Sequence, residues 1–357
     1  MMHTNRQGVL PEGSSGSAQK ETNKFVSYMR SYMQRKKRFF IAVFILIFLG
    51  MVFTTDEAYA KTSPLHVDGV HLKDQNGKTV VLRGVSLHGL SWFPEYVNKG
   101  SFKSVKKLFK ANVLRLPVYT TNYNGYCSGG DQKELRKVVE KGVKYATKLG
   151  MYVIIDWHIL DDNDPNTHID ESKKFFKYFA KKYADHDNVL YEICNEPHGV
   201  SWHDSIKPYA KKITKVIRAY DDDAIIIVGT NTWSQDVDDV IGDTLPDKNT
   251  VYALHFYAAT HGDFLREKAQ KAIDNNIPIF VSECSICEAS GNGNVDTSSG
   301  KKWKRFLDKN KISMVAWNLS NKDEASSLIK STCKKLKGWK KKNLTKTGKW
   351  FRKNLAM

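Results

Sequence analysis

Proline and cysteine are sparse in this sequence, at 9 and 5 of 357 residues, and several familiar signatures are missing altogether. No G-x-G-x-x-G follows a strand pattern, which removes the ordinary dinucleotide-binding turn. Cys284-x-x-Cys287 stands alone, so no second pair completes a four-ligand zinc site. The odd count of Cys127, Cys194, Cys284, Cys287 and Cys333 leaves at least one thiol unpaired in a monomer; buried or disulfide-bonded cysteines are the ordinary account of the rest. The longest apolar run, Phe39 to Phe53, has 15 residues. That is short of the about 18 to 20 that cross a bilayer comfortably. After residue 60 no Gly/Ser/Pro-rich linker interrupts the chain, so a single domain is expected.

What is present begins with targeting. Arg35-Lys36-Lys37-Arg38 precedes the apolar run, and Ala58-Tyr59-Ala60 follows it, the order of a secretory signal. Residues 1–38 are therefore read as a cytoplasmic or n-region tail, with Met29 or Met33 as starts that would give a signal of ordinary length. Residues 39–60 are read as the hydrophobic region and cleavage site. Cleavage is expected after Ala60, releasing the protein from the cell; an uncleaved signal anchor is the alternative, and the only route to a membrane. The net charge of +18 is concentrated at the other end, where residues 301–357 carry 18 Lys+Arg against 3 Asp+Glu. A solvated lysine-rich surface is the ordinary reading of Lys330 to Lys342. The second reading is weak electrostatic attachment to an anionic cell wall or lipid headgroups. No nucleic-acid motif accompanies the charge, so that class of partner is excluded.

Between these ends, short β-branched runs alternate with amphipathic ones. The strand candidates are Val81 to Ser86, Asn112 to Tyr119, Met151 to His158, Val189 to Glu196, Ala224 to Thr230, Val251 to Tyr257, Pro278 to Cys284 and Ser313 to Ser320. Apolar residues at three- and four-residue spacing, such as Leu135, Val138, Val139, Val143 and Ala146, mark helices between them. Eight apolar strands separated by helices imply parallel strands buried on both faces, and closure into a (β/α)8 barrel is the natural form. Leu65 to Val80, with Asp-Gly and Asn-Gly turn signals, reads as a small N-terminal β-hairpin plugging the barrel's bottom.

Polar and aromatic residues gather at the C-terminal ends of the predicted strands, where a barrel places its active site. Glu196 on strand four and Glu283 on strand seven would then face one another. Two carboxyl groups in different protonation states suffice to protonate a glycosidic oxygen on one side and attack the sugar carbon from the other. Arg115 would keep one of them ionised. An ordinary salt bridge at the barrel mouth is the bland reading of each glutamate alone; the pair among His, Asn, Tyr and Trp favours chemistry. Asp161, Asp162 and Asp164 with His168 read as a solvated loop rather than a cation site.

The blocks LRGVSLHGLSWF (82–93), NVLRLPVYT (112–120), YVIIDWH (152–158), YEICNEP (191–197), GTNTWSQDV (229–237), LHFYAATHG (254–262), FVSEC (280–284) and WNLSNKDE (317–324) resemble, in order, the bacterial cellulase branch of glycoside hydrolase family 5. The resemblance implies a retaining endo-β-1,4-glucanase, without metal or cofactor; a monomer is expected. It implies Glu196 as acid/base and Glu283 as nucleophile. Asn195 would hold the sugar 2-hydroxyl, Tyr257 and Arg115 would orient Glu283, and His158 and His255 would line the mouth. His88, Trp92, Tyr119, Ala289, Trp317, Lys322 and Glu324 would grip glucose units on the non-reducing side, and Trp233 and His261 would serve the leaving-group side. Cys284, after the nucleophile, departs from an often aromatic position and is expected to alter the cleft floor. The catalytic domain is read as 61–344 and residues 345–357 as a basic tail. Another β-glycan (mannan, xyloglucan or lichenan) and a noncatalytic wall-associated glycan binder are the rival readings.

Overall fold

A computed structural model describes residues 15–52 and 62–357, with side chains of the first segment described for residues 20–40. The chain forms two compact units, Met1–Ala58 and Tyr59–Met357. The first holds one helix, α1 (Ser15–Val52), whose side chains at 20–40 are all exposed. Among the described residues no helix is long and apolar enough to cross a membrane. The expected cleavage point after Ala60 lies outside the described residues.

The second unit starts with a hairpin, β1 (Leu65–Asp68) and β2 (His71–Asp74), paired antiparallel across the Gly69 turn. Strands and helices then alternate: β3 (Arg83–Leu87), α2 (Lys99–Phe109), β4 (Val113–Tyr119), α3 (Gln132–Lys148), β5 (Tyr152–His158), α4 (Ile169–Tyr183), β6 (Val189–Glu192) and α5 (Lys207–Arg218). There follow β7 (Ile226–Val228), the short α6 (Asn231–Ser234), β8 (Thr250–Tyr257), α7 (Asp263–Asp274), β9 (Ile279–Ser285), α8 (Thr297–Lys309), β10 (Ser313–Leu319) and α9 (Lys346–Asn354). Strands β3 to β10 are parallel and close, β10 pairing with β3, into an eight-stranded barrel. The expected (β/α)8 architecture is what the chain adopts, with each predicted strand in its place.

The helices begin where the sequence can satisfy their free N–H groups. Asp131 accepts from the backbone of Lys133 and Glu134 at the start of α3, and Asp296 accepts from Ser298 and Ser299 at the start of α8. Their apolar stripes, such as Leu135, Val139, Val143 and Ala146, pack on the outer faces of the strands. Inside the barrel a second apolar cluster joins Val113, Ile154, Leu190, Ile227, Val251, Ala253, Phe280 and Val315 to Leu65 and Leu72 of the hairpin. The hairpin thus seals the end of the barrel opposite the mouth, tied further by Val67 N–H to Asn249 Oδ1 at 3.1 Å.

Two expectations change. Strand four was expected to run to Glu196, but β6 ends at Glu192, and Glu196 stands in the loop beyond it. Residues 345–357 were expected to be a basic tail; they include α9. Thr345 caps this helix by accepting from Gly348 N–H at 2.9 Å, and Trp350, Phe351 and Leu355 are buried while Lys349, Arg352 and Lys353 remain in solvent. An amphipathic stripe explains the lysines better than disorder. A Cβ on Gly348 would lie 2.1 Å from the Leu328 carbonyl oxygen, so glycine is what allows α9 this close. All five cysteines are free thiols, and Cys194, Cys284, Cys287 and Cys333 are buried.

If α9 belongs to the fold, Phe351→Ala should cost about 3–5 kcal/mol, whereas Lys353→Ala should change stability by less than about 0.5 kcal/mol. Denaturant unfolding of the two variants checks this; equal, negligible effects would restore the tail reading.

Candidate active site

Strand side chains alternate between the two faces of a sheet, and along β4 and β5 this alternation sorts chemistry from packing. Leu114, Leu116 and Val118, with Val153, Ile155 and Trp157, face the helices. Val113, Tyr152 and Ile154 face the barrel interior. The positions above them on that inner face are Arg115 and Tyr119 on β4, and Asp156 and His158 on β5. Glu192 pairs with Asp156 in the β5–β6 register and joins the same inner layer.

Strand β9 breaks the alternation. Ala253 pairs with Phe280 but His255 pairs with Glu283, so β9 spends one residue more than β8 over the same length. The same extra residue appears against β10, where Met314 pairs with Val281 and Ala316 with Cys284. Such a bulge redirects side chains locally. Here Val281 and Cys284 both pack outward, while the intervening Ser282 and Glu283 both reach the inner network. Cys284 therefore does not shape the cleft floor as expected; its thiol faces the Val315 carbonyl at 3.5 Å. Cys287 does lie beneath the cleft, packed with Tyr119, Tyr257 and Trp317.

Arg115 is the hub of the inner layer. Its Nε donates to Glu192 Oε2 at 2.7 Å, Nη1 to Glu283 Oε2 at 2.8 Å and Nη2 to Asn195 Oδ1 at 2.6 Å, with Asp156 Oδ2 at 3.1 Å from Nη2. Burial disfavours its charge, but the three carboxylates more than offset this and hold the guanidinium ionised. Burial also penalises Glu192, yet Arg115 and His255 bring its pKa down to about 2. Burial dominates at Asp156, pushing it well above the usual carboxylate range, and at its partner His158, lowered to about 3; the two share a 2.6 Å hydrogen bond.

The two glutamates singled out in the sequence meet above this layer. A carboxylate oxygen of each and a ring nitrogen of His255 all lie within 4.8 Å of one another. Glu283 accepts from Tyr257 OH at 2.6 Å through Oε1 while Arg115 holds Oε2. Glu196 Oε1 lies 2.9 Å from His255 Nδ1. Ser282 Oγ donates to Glu192 Oε1 at 2.6 Å, which leaves it to accept from His255 Nε2 at 2.9 Å. Both imidazole nitrogens are thus donors, the arrangement of an imidazolium. Burial opposes that charge, but the Glu192 carboxylate 3.6 Å from Nε2 and the hydrogen bond to Glu196 raise the pKa to about 9. Glu196, His255 and Glu283 are also the only grouping among the described residues with donor atoms placed for a metal ion.

An open cleft of about 550 Å³ lies over the pair, lined by His158, His255 and Tyr257. All nine residues expected to hold sugar line it too: His88, Trp92, Tyr119, Trp233, His261, Ala289, Trp317, Lys322 and Glu324. Trp92 and Trp233, at 38% and 43% exposed, stand in the cleft wall rather than in the core. Lys322 Nζ sits 5.6 Å over the Trp92 ring and 2.7 Å from Glu324 Oε2. Burial opposes ionisation of Glu324, but bonds from Lys322, Asn318 and Ser326 lower its pKa and leave it an acceptor. Arg115 and Asn195 lie below the cleft surface, fully buried.

Sequence reasoning did not single out Asp156, Glu192 or Ser282 in the inner layer, nor Asn122, Leu160, Gln235, Ser290 and Gly291 in the cleft wall. The first two stand within the quoted blocks YVIIDWH and YEICNEP; Asp156 lies two residues before His158, where the period of two would have found it, and Glu192 lies four before Glu196. The acidic loop behaves as solvated turns: Asp161 accepts from Asn122, Asp162 from Leu160 N–H, and Asp164 from Asn166 and Ser205.

Residues 73–323 match the family model described as Cellulase (glycosyl hydrolase family 5). Endoglucanase N of Pectobacterium atrosepticum is 46% identical over 292 residues, covering 82% of this chain and 65% of that protein. Endoglucanase 5 of Pectobacterium carotovorum subsp. carotovorum is 45% identical over 292 residues, 82% of this chain and 57% of its own length. The chain thus spans less than two thirds of either protein. An endoglucanase of Clostridium saccharobutylicum is 42% identical over 91% of this chain and 73% of its own. Among solved structures, the catalytic domain of Thermobifida fusca endoglucanase Cel5A with cellotetraose superposes with a TM-score of 0.78 at 34% identity, covering 84% of this chain and 98% of that one.

The His255 pKa ties stability to pH. Its folded-state value of about 9 lies above the ordinary 6.5, so its contribution is complete below about pH 6.5 and is lost as the pH rises through about 9. At about 1.4 kcal/mol per pKa unit this amounts to about 3 kcal/mol. Denaturant unfolding at pH 6 and pH 9.5 should show a loss of that order, much reduced in His255→Gln; a stability independent of pH over this range contradicts the imidazolium.

Proposed function

The chain belongs to glycosyl hydrolase family 5, and from that premise we propose that it is a retaining endo-β-1,4-glucanase hydrolysing cellulose or soluble β-glucan by double displacement. The observation that carries this reading is the approach of Glu196 and Glu283 carboxylate oxygens to within 4.8 Å beneath an open cleft. Retaining glycosidases keep their carboxyl groups about 5–5.5 Å apart, whereas inverting ones leave about 6.5–9.5 Å for a water molecule.

In the first step Glu283 forms a bond to the anomeric carbon as the bond to the departing sugar oxygen breaks, and Glu196 gives that oxygen a proton. His255 occupies Glu196 Oε1, so the proton to be delivered is carried by Oε2. In the second step water gives its proton to Glu196 and its oxygen to the anomeric carbon, and Glu283 leaves as a carboxylate. Two inversions restore the configuration. Arg115 and Tyr257 hold the attacking carboxylate from both oxygens. Asn195 spends Oδ1 on Arg115 and one Nδ2 hydrogen on the Ile159 carbonyl, which leaves its second amide hydrogen for the sugar 2-hydroxyl. The reaction so written needs no metal or cofactor. Trp92, Tyr119 and Trp317 offer faces to the glucose units on one side, with Lys322 and Glu324 for their hydroxyls, and Trp233 and His261 serve the leaving group.

Glu283→Ala should abolish hydrolysis of carboxymethylcellulose while cello-oligosaccharide binding survives in calorimetry, and Glu196→Gln should lower kcat by about 10²–10⁴-fold. Proton NMR of early products should show the β-anomer. The α-anomer first would overturn retention, and reducing-sugar release from galactomannan but not from carboxymethylcellulose would overturn the glucan assignment.

The same reading puts the enzyme outside the cell as a monomer. The basic run, apolar stretch and Ala58-Tyr59-Ala60 support export, and the exposed lysines of 330–342 support a weak hold on an anionic cell wall. Protein sequencing of the culture fractions should find a chain beginning at Lys61, part of it released from walls by about 1 M salt, where charges are screened within about 3 Å. An intact N-terminus in the membrane fraction would favour the anchor.

A further inference from the structure

Glu196 stands four residues past the end of β6, just beyond the last backbone bonds to the neighbouring strands, Asn195 N–H to the Trp157 carbonyl at 3.2 Å and Gly229 N–H to the Cys194 carbonyl at 3.0 Å. From there on the backbone is also fastened by α6 and its neighbours, where Thr232, Trp233 and Ser234 take successive φ values of 52°, 56° and 58°. Three consecutive left-handed residues, none of them glycine, persist only where the surroundings over-determine them. Ser234 N–H bonds to the Thr230 carbonyl at 3.0 Å and Gln235 N–H to the Asn231 carbonyl at 3.1 Å, closing the turn.

Two further bonds of the turn go to the carbonyls flanking Glu196. Ser234 Oγ donates to Asn195 O at 2.7 Å, and Trp233 N–H donates to Pro197 O at 3.0 Å. Between them, Glu196 O accepts from His198 Nδ1 at 3.1 Å, and the His198 ring stacks on the Trp233 indole at 4.3 Å and 19°. Three successive carbonyls, 195 to 197, therefore depend directly or through His198 on one left-handed turn. The Ser234 hydroxyl is fully buried and also accepts from Thr230 N–H at 3.3 Å, so it has no freedom to reorient.

We propose that Ser234 is a positioning residue for Glu196: its hydroxyl, presented by the left-handed turn, fixes the acid/base loop so that the Glu196 carboxyl faces the glycosidic oxygen. The proposal rests on the acid/base reading of Glu196. Ser234 touches neither substrate nor the carboxyl itself; it acts through the Asn195 carbonyl.

The test uses a leaving group that needs no proton. Ser234→Gly keeps the left-handed backbone without steric cost and deletes the hydroxymethyl group; Ser234→Ala deletes the hydroxyl with the Cβ retained. Both variants should lose about tenfold or more in kcat/KM on cellotetraose, part of the about 10²–10⁴-fold that a positioned acid contributes. Their kcat/KM on 2,4-dinitrophenyl β-cellobioside should stay within about twofold, because dinitrophenolate departs unaided, while the deglycosylation-limited kcat on that substrate falls for want of an aimed base. An equal fall in kcat/KM on both substrates, or no fall on either, overturns the positioning role. Full activity of Ser234→Gly beside an impaired Ser234→Ala also overturns it, since only backbone conformation would then matter. Glu196→Gln run in parallel separates the premise: if that variant loses kcat/KM equally on the two substrates, the acid/base assignment itself fails.

Discussion

A guanidinium sealed from water inside the barrel is the constraint on which the rest of this site depends. A buried charge is tolerable only when it is paired and its donors are met. Arg115 meets that condition with groups from β5, β6, β9 and the loop beyond β6. These groups come from separate segments of the barrel, so Arg115 can be buried as a cation only once they are assembled around it. The interior charge is then set by position. Arg115 and His255 are cationic and Glu192 is anionic, while burial works against the charged forms of Asp156 and His158. Glu283 sits at the upper edge of this arrangement, the one of its carboxylates that reaches the cleft with both oxygens already engaged.

The barrel is layered along its axis for the same reason. Apolar inward residues fill the lower half and are closed off by the hairpin, so water has no path from below. Polar residues occupy the next level because the cleft above supplies solvent and, in the proposed reaction, sugar hydroxyls. The bulge in β9 supplies what regular pleating cannot, two adjacent side chains on one face. Ser282 completes the hydrogen-bond chain from Glu192 to His255, and Glu283 rises to meet Glu196.

Much of this was legible in the order of residues. Apolar runs of β-branched character gave the strands, and the crowding of His, Asn, Glu, Tyr and Trp at their ends marked the mouth, because those residue types have no reason to recur at one end of a packing strand. What escaped depends on register or on backbone conformation. Asp156 and Glu192 look like ordinary strand-end acids until pairing sets them beside Arg115. The β9 bulge leaves no mark in FVSEC, where five residues read as simple alternation. The left-handed turn at 232–234 contains no glycine to announce it. Charge misled at the C-terminus, where lysines on the wet side of α9 masked the buried Trp350 and Phe351.

The unpaired thiols carry a consequence for how this molecule meets its environment. Burial raises the pKa of Cys127 to about 12 and of Cys287 to about 11, and pushes Cys194 and Cys284 up as well. Thiols held protonated are poor nucleophiles and slow to oxidise. Nothing in the barrel is stapled by sulfur, so the fold is indifferent to whether it matures in a reducing or an oxidising compartment, and reductant in a buffer removes no bond on which it relies.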